Sequence, residues 1–97
     1  MAQVVRDSQL DPWIDDYLDY LLRKWTVIPQ LAAEWDDWDP DSQFSFVLDW
    51  GVPADRLEQV QRWAEQGLLT PAQRSRYDQL LKIVARNRSL LDRMLAD

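Results

Sequence analysis

The residues best placed to do chemistry in this chain are carboxylates set around indole rings. Asp36, Asp37, Asp39 and Asp41 crowd one short stretch, with Glu34 ahead of them and Trp35 and Trp38 among them. Counted from Asp37, the first, third and fifth positions are all Asp, which is how a calcium loop opens. The pattern then fails. Ser42 stands where such a loop needs Gly, and Leu48 stands where it needs a bidentate Glu. A local role accounts for the run instead. Asp39 precedes Pro40, so its carboxylate can cap a helix starting at that proline. Asp41 then lies in the first turn, where negative charge suits the helix dipole. No metal and no cofactor is expected.

Other chemistries lack their parts. There is no His and no Cys, hence no general base poised near neutral pH and no thiolate. Ser8, Ser42, Ser45, Ser75 and Ser89 lie in no nucleophile-elbow or β-lactamase pattern. Two isolated glycines cannot build a phosphate loop. With seventeen acidic residues, chance proximity explains any carboxylate pair one might choose. The chain is expected not to be an enzyme.

The six Trp residues could form a cage for a cation or a platform for stacked bases. A cage needs several faces converging on one pocket, and a platform needs interleaved basic residues. Trp35 and Trp38 stand among acids instead. They belong either to the core or to an aromatic patch rimmed by carboxylates, which would suit a basic protein surface. Trp35, Trp38, Asp36 and Asp37 are therefore candidate partner-binding residues.

Charge sharpens this expectation. Residues 1–55 hold twelve acidic and three basic side chains, net −9, whereas residues 56–97 hold five acidic and eight basic, net +3. Either the halves neutralise each other in the fold, or each faces a different partner. At −6 overall the molecule repels nucleic acid. Arg86, Arg88 and Arg93 near the C-terminus are the alternative contacts through which that repulsion could be reversed locally.

These groups must be positioned by helices, because proline and glycine punctuate the chain as helix boundaries. Asp11-Pro12, Asp39-Pro40 and Thr70-Pro71 each place a capping oxygen before a proline suited to the first helical position. Gly51 and Gly67 sit where helix C-caps are expected. The spacing predicts helices over about 12–24, 40–50, 53–66 and 71–86 or beyond, with a short one near 30–38. In the first, Ile14, Leu18, Leu21, Leu22 and Trp25 form one apolar face. Trp13, Tyr17 and Tyr20 form a second stripe beside it, and so wide a face implies contact on two sides. Trp13, Tyr17 and Tyr20 therefore join the candidate partner-binding set.

In the last helix Tyr77, Leu80, Leu81, Val84, Leu91 and Leu95 share a stripe, with Asn87 in its middle. Either the helix breaks near Arg86–Ser89, or a polar amide sits on the buried face, where it can fix register. The expected core is Leu18, Leu22, Trp25, Leu31, Phe44, Val47, Leu57, Val60, Trp63, Tyr77, Leu81 and Val84.

Residues 64–95, with Ile28-Pro29-Gln30-Leu31 and Phe46-Val47-Leu48-Asp49-Trp50, resemble a group of short, acidic, Trp-containing bacterial proteins of unknown function. The shared features include Gly67-Leu68-Leu69-Thr70-Pro71, Gln73, Arg76, Tyr77, Leu80 and Asn87-Arg88. Such proteins are often encoded near toxin–antitoxin or mobile defence genes, so the resemblance implies an antitoxin-like or accessory role. Many carry Pro where this chain has Ser89, which favours a helix boundary after Arg88. The first twenty or so residues fall outside the resemblance.

The combined expectation is an all-α single domain: a compact bundle of four to five helices, a long C-terminal helix that either breaks near Asn87 or carries it on the buried face, and a flexible N-terminus over residues 1–10. The first reading of function is a non-enzymatic protein-binding module whose acidic, aromatic half engages a basic partner. The second is a homodimeric structural or regulatory protein, and the third is nucleic-acid binding through the C-terminal helix. Residues 1–10 lack the pattern of a signal peptide, and no apolar run approaches the roughly 18 residues of a membrane span. No membrane association is expected, and the absence of Cys suits the cytoplasm.

Overall fold

The computed structural model describes the backbone of residues 2–96 and the side chains of residues 10–96. Its elements are α1 (Ala2–Thr26), α2 (Ile28–Glu34), a 3₁₀ turn (Trp35–Asp37), α3 (Pro40–Asp49), α4 (Gly51–Glu65) and α5 (Pro71–Ala96). The described residues contain no strand, so the fold is all-α. The outline is elongated rather than compact, at 54 × 22 × 17 Å. The radius of gyration is 15.5 Å, against about 12.5 Å for a compact domain of this length.

Two helices with matched seams set this shape. In α1 and its continuation, Ile14, Leu18, Leu21, Trp25, Ile28, Ala32 and Trp35 are all buried. In α5, Gln73, Tyr77, Leu80, Val84, Asn87, Leu91 and Met94 are all buried. Both sets advance by alternating steps of three and four, the 3.5-residue repeat of a coiled-coil seam. Cross-links between the seams keep a nearly constant sequence separation of 57 to 62 residues. A constant separation means that α1 and α5 run parallel. The chain returns through α4, which lies antiparallel to α1: Tyr17 meets Trp63 at 5.2 Å, and Trp25 meets Trp50 at 5.4 Å.

Asn87 decides between the two alternatives for the last helix, in favour of the buried amide. α5 runs unbroken through it, and the residue is 4 % exposed. Its Nδ2 donates to the Trp25 carbonyl oxygen at 2.9 Å. The reason lies in Pro29. In a continuous helix the Trp25 carbonyl would accept from the N–H four residues on, and a proline has none. The amide from α5 fills that vacancy, so the polar residue belongs on the buried face. An unmatched carbonyl there would cost about 1–3 kcal/mol.

The capping signals divide between those the fold uses and those it overrides. Asp39 caps α3, accepting from the Ser42 backbone N–H at 2.8 Å and from the Ser42 hydroxyl at 3.0 Å. Thr70 and Gln73 form a reciprocal capping box on α5: Gln73 N–H donates to Thr70 Oγ1 at 3.1 Å, and Thr70 N–H donates to Gln73 Oε1 at 2.9 Å. Gly67 has φ +72° and ends α4. Leu68 N–H reaches the Trp63 carbonyl at 3.0 Å and Gly67 N–H reaches that of Ala64 at 3.1 Å, a Schellman closure. By contrast, Gly51 opens α4 rather than closing α3, and α1 starts at Ala2 and carries Pro12 inside it. The flexible stretch expected over residues 1–10 falls almost wholly where side chains are not described, and Met1 lies outside the described residues.

Two expected core positions are misplaced. Phe44 is 64 % exposed and Leu81 37 % exposed. Leu80 and Leu81 both fit a 3.6-residue stripe, but the parallel seam takes only Leu80.

Candidate functional site

The two stripes of α1 are both covered from within the chain. The first faces α5. On the second, Tyr17 packs on Trp63, and the Arg56 guanidinium lies 5.2 Å from the Tyr17 ring centre and 4.3 Å from that of Tyr20. Tyr17 and Tyr20, expected to face a partner, are thus half-buried under α4. Trp13 alone of that stripe stays open, at 60 % exposure.

The charge halves meet in part. Arg76 of α5 pairs with Asp15 at 3.4 Å and also with Asp19 of α1. Gln73 Nε2 donates to Asp15 Oδ1 at 3.0 Å. The Arg88 guanidinium lies over the Trp25 ring at 5.5 Å. Asp15 and Asp19 of α1 therefore have partners from the basic half.

The acids around α3 do not. Residues 25–55 contain seven acidic side chains and no Lys or Arg. Among the described residues no ion pair involves Glu34, Asp36, Asp37, Asp41 or Asp49. All five are exposed. The Asp39 carboxyl is held below its ordinary range, chiefly by the Ser42 backbone N–H and then by the Ser42 hydroxyl. It is therefore a fixed negative charge at the head of α3.

Trp35 corrects the expectation of an outward indole. It is 2 % exposed, packed with Ala32 and Met94, so it extends the seam rather than a docking face. Its neighbour Trp38 is half-buried at 5.5 Å. A train of rings ties this end together: Trp25 to Trp50, Trp50 stacked on Phe46 at 5.5 Å, and Phe46 against Trp35 at 5.5 Å. Gln43 Nε2 donates to the Trp35 carbonyl at 2.7 Å. These contacts hold α3 by one edge only.

The other edge of α3 is bare. No residue of the helix is fully buried. Phe44 and Leu48 are 64 % and 63 % exposed, one turn apart, and Asp41 precedes Phe44 on the same face. Beside them a groove of about 410 Å³ runs between α3 and the end of α5, lined by Trp35, Pro40, Gln43, Phe44, Val47, Leu95 and Ala96. The Trp35 Nε1 hydrogen is buried and finds no acceptor. The expected core includes Phe44 and Val47, and no described element covers Phe44.

The basic residues proposed for nucleic acid do not converge. Arg86 and Arg93 share one exposed face of α5, two turns apart, while Arg88 stands on another face over Trp25. The described residues hold no group of acidic side chains, His or Cys suited to a metal ion. Among them, no helix is long and apolar enough to cross a membrane. Comparison with protein-family models, with curated proteins and with solved structures finds no match to this chain.

Proposed function

We propose that this chain is a non-enzymatic protein-binding module that engages a basic protein through the acidic end formed by α2, the 3₁₀ turn and α3. The observation that carries this reading is α3 itself. It buries no side chain fully, yet presents Phe44 and Leu48 among carboxylates that have no cation nearby in sequence. Single exposed apolar residues are ordinary, but an adjacent pair beside an apolar groove marks an interaction surface. Carboxylates would speed the approach of a basic partner, and the apolar face would supply the lasting contact. Asp36, Asp37 and Trp38 keep their place in the site. Phe44 and Leu48 take the place proposed for Trp35, Tyr17 and Tyr20.

With the resemblance set out above, the reading extends to an antitoxin-like or accessory role in a bacterial cytoplasm. The basic surface of a ribonuclease, on which RNA would otherwise sit, is a partner of the right chemistry. Photo-crosslinking tests the reading: a benzophenone residue at position 44, and at Gln79 on α5 as control, in protein expressed from its own locus. A basic protein captured from position 44 and not from Gln79 is the expected result. Equal or absent adducts at the two positions would reject it.

A further inference from the structure

Resting on the protein-binding reading, we infer that the groove between α3 and the end of α5 takes one amphipathic helix of the partner, basic on its polar face, with bulky apolar side chains seated over Phe44, Val47 and Leu95. Two features of this groove, about 410 Å³ in volume, point to this occupant. Its outer wall is a helix whose exposed apolar residues, Phe44 and Leu48, are one turn apart, the spacing that meshes with another helix. The stretch that forms its α2–α3 side, residues 25–55, holds seven acids and no Lys or Arg, so an approaching helix gains by carrying Lys or Arg on the face that remains in solvent. A small polar ligand would leave these apolar walls in water. A neutral apolar helix would leave the carboxylates unused.

Designed peptides of about 18 residues, long enough for five turns, test the inference. One carries Leu on one face and Lys on the other, a second replaces every Leu by Ala, and a third replaces every Lys by Glu. Affinity is read by calorimetry, and the location of binding by amide shifts at Val47 and Leu95. The Leu/Lys peptide should bind at least about tenfold more tightly than either control. Raising sodium chloride from ~50 to ~300 mM should weaken it several-fold.

Phe44→Ser with Leu48→Ser should lower its affinity by about tenfold or more, while the urea midpoint stays put because neither side chain is in the core. Equal binding of the Leu and Ala peptides, or indifference to the double substitution, overturns the groove while the crosslinking result still decides the broader reading. A wild-type dimer in sedimentation that the double substitution converts to monomer also overturns it, because the groove then belongs to a second copy.

Discussion

Along the α1–α5 seam from Ile14 to Ile28, the buried side-chain amides and the arginine beside them find partners on another helix. Asn87 serves the carbonyl that Pro29 leaves unmatched, Gln73 bridges its own cap to Asp15, and Arg76 holds two aspartates of α1. At the α3 end the same chain leaves five carboxylates outside any ion pair among the described residues and two large apolar residues in solvent. The two regions have similar raw composition, acids interleaved with aromatics. What separates them is a second helix: α5 supplies one along its whole length, and no described element supplies one for the outer face of α3. Acidic, aromatic sequence is therefore not itself a mark of an interface. What sets the proposed interface apart is the absence of an internal partner among the described residues.

Substitutions can break or sharpen this contrast. The largest effect is expected from Leu80→Ala, which empties a fully buried seam position and should cost about 2–5 kcal/mol by urea denaturation. Leu48→Ala, the same chemical change at the α3 end, should stay within about 0.5 kcal/mol. Comparable losses at the two sites would erase the distinction. Next comes Asn87→Ala, which strands the Trp25 carbonyl at a cost of about 1–3 kcal/mol. In a Pro29→Ala background the backbone can supply the missing N–H, so the same change should cost measurably less. An unchanged cost in that double-mutant cycle would remove Pro29 from the explanation.

Thr70→Ala, opening the capping box, should lower stability by about 1 kcal/mol, again by urea midpoint. The smallest effect is acid-dependent. The Asp39 carboxyl is lowered by its cap bonds, so its contribution is complete above the ordinary carboxylate range and fades as pH falls through the lowered value. Asp39→Asn keeps a capping oxygen but removes the titration, and its acid stability profile should be shallower than that of the wild type. Identical profiles would place the acid sensitivity elsewhere.

The fold was legible where one residue dictates local backbone. Gly67, Asp39-Pro40 and Thr70-Pro71 mark boundaries because φ > 0 or a capping oxygen is needed at those positions whatever the rest of the chain does. Asp11-Pro12 misled because a proline is also tolerated where flanking turns hold the helix together. Gly51 misled because its φ is not positive, and the Ala54 N–H bonds the Trp50 carbonyl at 3.1 Å across it, so the chain turns into α4 instead of stopping. The core was legible as stripes but not as a choice within them. Leu80 against Leu81, and the inward turn of Trp35, depend on the direction from which α5 approaches, which is a tertiary fact. The steps from Ile14 to Trp35 did hold the signal, because that repeat passes through Val27 and Pro29 without losing phase. The bare face of α3 was the least legible feature. Its apolar spacing is that of a core helix, and only the finished packing shows it left uncovered.

Parallel pairing of α1 with α5 has a consequence for how the molecule is made. The two halves of the seam are separated by 57 to 62 residues, so they cannot zip from a tight turn, and a long loop must close before the first seam contact forms. On the ribosome α1 emerges with most of its apolar stripe bare. It can dock first only on α4, through Tyr17, Trp63, Trp25 and Trp50. Completion then waits for Gln73 to Met94 to follow, and until they arrive the nascent chain is a half-built hairpin within reach of chaperones.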